Sequence, residues 1–68
     1  MTEKELDSHK IQFERALQQM FFIARERNLD KEDFKQLNWI TRNLDRLRNY
    51  NPDELDWDDV NKEVTIIK

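Results

Sequence analysis

Not one glycine occurs in this chain of 68 residues, and that absence narrows its fold and chemistry more than any other feature. Glycine lets a backbone take left-handed turns and approach a ligand closely. Without it, phosphate-cradling loops and dinucleotide fingerprints are excluded, and nucleotide-dependent catalysis becomes an unsuitable reading. Cysteine is absent as well, which removes disulfides, thiolate metal sites and thiol nucleophiles and agrees with a cytoplasmic setting. No signal-peptide pattern follows Met1, and the longest apolar run, Met20 to Ala24, is far too short to span a bilayer.

A chain of this size makes one domain, residues 1–68, burying roughly 60 % of its unfolded surface. Charged residues are 40 % of it, but a hydrophobic share of 37 % still supplies a small core and argues against wholesale disorder.

Three segments follow from the local signals. Thr2-Glu3-Lys4-Glu5 has the capping-box pattern, so a helix is expected from about residue 3 to 27. Leu6, Phe13, Leu17, Met20 and Ala24 share one stripe of it and form the expected core face. Asp30 then caps a second helix over 31–49, with Leu29 and Phe34 as a hydrophobic staple and Glu32 and Asp33 favourable in its first turn. Its main apolar stripe is Phe34, Leu37, Ile40, Leu44 and Leu47. The short link between the two helices dictates an antiparallel helical hairpin.

Asn51-Pro52 reads as a stop and restart, because Pro52 disfavours a helical residue before it yet suits the first position of a new helix. Trp57, Val60, Val64 and Ile67 recur at helical steps, which predicts a third, shorter helix over about 53–63. Residues 64–68 are left open, since Val64-Thr65-Ile66-Ile67 is β-branched throughout and equally suited to an extended tail. The expected fold is therefore all-α: a three-helix bundle built on an antiparallel hairpin.

Both long helices carry a second non-core face. On the first, Ile11, Gln18 and Phe22 lie roughly opposite the core stripe, where a helical hairpin leaves them wet. On the second, Lys35, Trp39, Arg42, Arg46 and Tyr50 form a basic and aromatic strip that needs a cover. The third segment is the natural cover, with Trp57, Val60 and Val64 over Trp39. Charge agrees: residues 31–50 carry five basic and three acidic side chains, residues 51–68 two basic and six acidic ones. Exposed ion pairs contribute only about 0–1 kcal/mol each, so burial of the tryptophans drives docking and the charges orient it.

No catalytic set stands out. His9 is the only histidine, its neighbour Ser8 points about 100° away on a helix, and a surface role is expected for it. The acidic run Asp53, Glu54, Asp56, Asp58 and Asp59 lacks the glycine turn of a calcium loop, and no metal or cofactor is assigned. The chain reads as a non-enzymatic regulatory or protein–protein interaction module, offering helix faces to a partner or to itself as a homodimer. Ile11, Gln18 and Phe22 would form the dimer face, and Trp39, Arg42, Arg46 and Tyr50 a second partner face if the third helix swings away. Two alternatives use the charges. The acidic patch would imitate a phosphate backbone towards a basic host protein. The basic–aromatic strip would bind a nucleic-acid strand, against a net charge of −3.

Overall fold

The computed structural model describes residues 1–67, and the last position of the 64–68 tail lies outside the described residues. Helix α1 spans Glu3–Glu26 and helix α2 spans Lys31–Asn49. Each begins with a reciprocal capping box. The Thr2 hydroxyl accepts from the Glu5 amide at 3.2 Å while the Glu5 carboxylate accepts from the Thr2 amide at 3.2 Å. Asp30 and Asp33 make the same exchange at 2.9 and 3.3 Å. These bonds satisfy amides that a helix start leaves without partners. Ion pairs Arg27–Asp33 at 2.8 Å and Glu14–Arg48 at 3.1 Å tie the two helices at widely separated levels and fix their antiparallel run.

The predicted third helix does not form. A single 3₁₀ turn, Pro52–Glu54, leads into strand β1, Leu55–Asp58, which pairs antiparallel with strand β2, Glu63–Ile66. The fold is thus a helical hairpin closed by a β-hairpin, not a three-helix bundle. Trp57 faces Val64 and Leu55 faces Ile66 across the ladder, so these four side chains share one face. Two periods compete in this segment. The helical one needs Val60 on the core side, yet Val60 sits in the connecting turn, 89 % exposed. The alternating one, Leu55-Asp56-Trp57-Asp58 and Val64-Thr65-Ile66, buries Leu55 and Val64 almost completely. Each such burial is worth roughly 1.5–3 kcal/mol, more than any exposed ion pair lost or gained. The 64–68 tail is therefore strand as far as Ile66.

The turn forms without glycine. Asp58 accepts from the amides of Val60 at 3.0 Å and Asn61 at 3.2 Å and from the Asn61 side chain at 2.8 Å. Lys62 takes the left-handed conformation, φ 53°, that glycine would adopt at no steric cost. For a residue with a Cβ that position costs roughly 1–2 kcal/mol.

The core joins Leu6, Phe13 and Met20 of α1, Ile40, Leu44 and Leu47 of α2, and Leu55 and Val64 of the β-hairpin. Of the expected stripes, Leu17 and Leu37 pack against this core only partly buried, and two further residues fall outside it. Ala24 and Phe34 are exposed, because both lie towards the end of the helical hairpin away from this cluster. Among the polar side chains, Asn43 is buried completely. Its Nδ2 donates to the Trp39 carbonyl at 2.9 Å and its Oδ1 accepts from the Val64 amide at 2.8 Å. Arg46 donates to the Val64 carbonyl. Both backbone groups of Val64 are thereby held by α2, which closes the outer edge of β2.

Replacing Asn43 with Ala leaves the buried Val64 amide without an acceptor, a loss of about 1–3 kcal/mol. Denaturant unfolding followed by tryptophan fluorescence should show it as a lower midpoint. An unchanged midpoint would mean that the β-hairpin holds to α2 without this bond.

Candidate interaction surfaces

An aromatic stack carries the contact between α1 and the β-hairpin. His9 lies face to face with Trp57, ring centres 4.0 Å apart and planes 10° apart. Phe13 meets Trp57 edge-on at 5.7 Å and Trp39 edge-on at 5.2 Å, so it stands between the two indoles. Such pairs contribute about 0.5–1.5 kcal/mol beyond their buried area. Trp39 is half-buried here, and its cover comes from Phe13 of α1 where a third helix was expected.

His9 is not the surface histidine that its sequence context suggests. It falls three residues after Leu6 and four before Phe13, on the inward stripe. Its Nδ1 is shielded from solvent and without a hydrogen-bond partner among the described residues. Burial holds its pKa below the ordinary histidine value, against the opposing pull of Glu5 and Asp59.

The basic strip of α2 is occupied from within. Glu63 sits between Arg42 at 2.8 Å and Arg46 at 3.5 Å, while Arg46 also holds Val64. The attraction expected between the basic second segment and the acidic third one is thus realised through Glu63. Tyr50, 37 % exposed, lines a cavity of about 400 Å³ with Arg42, Arg46, Asp45 and Ile66.

The acidic run does not stand as one free patch. The Glu54 carboxylate accepts from the Asn51 amide at 3.0 Å and closes the 3₁₀ turn. Asp58 organises the β-turn, and its hydrogen bonds, the Asn61 side chain first, lower its pKa. Asp53 is exposed on the 3₁₀ turn. Asp56 and Asp59 are exposed and line a second cavity, about 390 Å³, with Glu5, His9 and Trp57.

The outer faces of the helices stay open. Ile11 is 49 % exposed, Phe21 56 %, Phe22 62 % and Phe34 54 %. Gln18 lies exposed between Ile11 and Phe22 on the same side of α1. Phe21 stands seven residues after Glu14, and Phe34 fourteen before Arg48, so both flank the seam marked by that ion pair. Phe34, expected in the core, is thus part of the open surface, and Phe21 adds to it. The molecule measures 39 × 20 × 19 Å, and the β-hairpin rests on core residues from one half of the helical hairpin.

Among the described residues, no three His, Cys, Asp or Glu side chains converge as metal ligands, and no helix is long and apolar enough to cross a membrane. Compared with protein families, with curated proteins and with solved structures, the chain gives no match, so its surfaces are read from their own geometry.

A histidine with a lowered pKa is protonated more readily in the unfolded chain. Stability is therefore full above about pH 6.5 and declines as pH falls from there towards the folded-state pKa. Thermal melts between pH 7 and pH 5 should show this decline in the native protein and a flatter profile in His9→Phe, which keeps an aromatic ring on Trp57. Equal slopes would remove His9 as the cause.

Proposed function

We propose that this protein is a small interaction module that binds a protein partner through the open faces of its helical hairpin. One observation carries the reading: large apolar side chains remain exposed on α1 and α2, Ile11, Phe21, Phe22 and Phe34, while the same helices bury a separate core. A single exposed hydrophobe is ordinary, but four large ones on the two helices of so short a chain are a surface suited to another chain. Aromatic groups give such surfaces most of their affinity per residue. No catalytic step is assigned to the protein.

The charge-based alternatives are less favoured. A nucleic-acid strand on α2 would have to displace Glu63 from Arg42 and Arg46, within a chain of net charge −3. An imitation of a phosphate backbone would draw on Glu54 and Asp58, whose carboxylates already bind their own chain. The partner face proposed from the sequence around Trp39, Arg42 and Arg46 would require release of the β-hairpin, so it is secondary to the outer face of α1.

A benzoylphenylalanine photoprobe in place of Phe22 should yield protein adducts in native extract, while the same probe at Asn61, on the β-turn, should yield few. Equal yields at both positions would overturn the reading. Phe22→Asp should abolish binding with stability kept within about 0.5 kcal/mol, as befits an exposed site. A large stability loss would instead mark Phe22 as part of the fold.

A further inference from the structure

The open face of α1 has an internal order that selects its occupant. Lys4, Ile11, Gln18 and Arg25 recur every seven residues, and Asp7, Glu14 and Phe21 stand three residues after the first three of them. These are the two seam positions of a heptad. Ile11 and Phe21 are exposed on this seam, while Leu6, Phe13 and Met20 of the same helix point into the core. The seam turns away from that core, and its Glu14 and Phe21 edge borders the contact with α2, where Glu14 pairs with Arg48.

The charges decide which way a like helix would lie on it. In parallel, Asp7 would meet the partner's Asp7, Glu14 the partner's Glu14 and Arg25 the partner's Arg25, all like pairs. In antiparallel, one alignment places Asp7 against the partner's Arg25, Ile11 against the partner's Phe21 and Glu14 against the partner's Gln18. Two-fold symmetry repeats each layer. Asp7 and Arg25 are eighteen residues apart, five full turns, so they share an azimuth at a separation of about 27 Å. Phe22 closes over the partner's Ile11 from the flank. Near the axis Arg15 approaches the partner's Arg15 and Glu14 the partner's Glu14, and these two like-charge pairs lie beside one another with opposite signs.

We propose that a second copy of this chain occupies the face: α1 pairs antiparallel with α1 of the partner subunit, with Ile11 and Phe21 as apolar layers and Asp7–Arg25 as the charge lock at each end. The pairing is isologous and closes on itself, so it yields a dimer and no filament. This inference rests on the interaction reading above and names the partner.

Sedimentation equilibrium from micromolar to millimolar protein should show a dimer that becomes monomeric in Ile11→Asp. Asp7→Arg turns two attractive contacts into repulsive ones and should weaken the dimer roughly tenfold. The double variant Asp7→Arg with Arg25→Asp should restore it. All three positions are exposed, and circular dichroism checks that each variant stays folded. Because the chain lacks cysteine, Asp7→Cys and Arg25→Cys proteins should form the mixed disulfide faster in mixture than either forms its own. A dimer indifferent to Asp7→Arg, or faster self-linking of Asp7→Cys, would overturn the antiparallel register. A chain monomeric throughout that still gives Phe22 photoadducts with a different protein overturns self-pairing alone. A chain with neither dimer nor adducts overturns both readings.

Discussion

Asn43 uses both ends of its amide on backbone groups, one on the Trp39 carbonyl within its own helix and one on the Val64 amide of β2. A two-stranded β-hairpin is only marginally stable alone in water. The outer edge of β2 would also present open amides and carbonyls to any passing strand. Asn43 and Arg46 answer both problems by anchoring Val64 through its two polar backbone groups. With Val64 fixed, Leu55 and Trp57 follow through the strand register, and the cover over Phe13 and Leu47 is set. Burial supplies most of the free energy, while this hydrogen-bonded pin determines where the buried face lands.

The helical hairpin was legible in the sequence because its signals are local. Capping boxes at Thr2 and Asp30 mark both helix starts, and the short link between the helices leaves only an antiparallel return. The β-hairpin was hidden because Trp57 and Val64 satisfy two periods at once. They sit seven residues apart, which suits one helix face, and they also pair across the strand ladder. A glycine would have marked the turn, but here Asp58 and a left-handed Lys62 form it with ordinary residues. What decides between the periods is the burial of Leu55 and Val64 against the helices, with Val64 pinned by Asn43 twenty-one residues earlier, and no local pattern reveals such distant contacts.

The surfaces divide in the same way. The exposure of Ile11 and Phe22 follows from azimuth alone, since both lie opposite the residues that α1 buries. Azimuth also marks two polar residues inside the buried stripes. His9 lies between Leu6 and Phe13 on the buried stripe, and Asn43 lies between Ile40 and Leu47. A polar residue at such a position has to stack or hydrogen-bond, and these two do. Phe34 fails for the opposite reason. Its position is apolar by pattern, but it lies about 120° round α2 from Ile40, outside the stripe of Ile40, Leu44 and Leu47 that is buried. The charges mainly serve the fold: Glu63 bridges Arg42 and Arg46, while Glu54 and Asp58 shape turns.

A β-hairpin that packs over one half of a helical hairpin leaves the other half as two rods joined by a single seam. Fewer buried contacts hold that end, so it opens locally at lower free energy than the half pinned by Asn43. Splaying there leaves the β-hairpin undisturbed. The tip that bears the exposed Phe21, Phe22 and Phe34 can therefore change shape while the opposite end keeps its own, as the jaws of a tool move against a fixed handle.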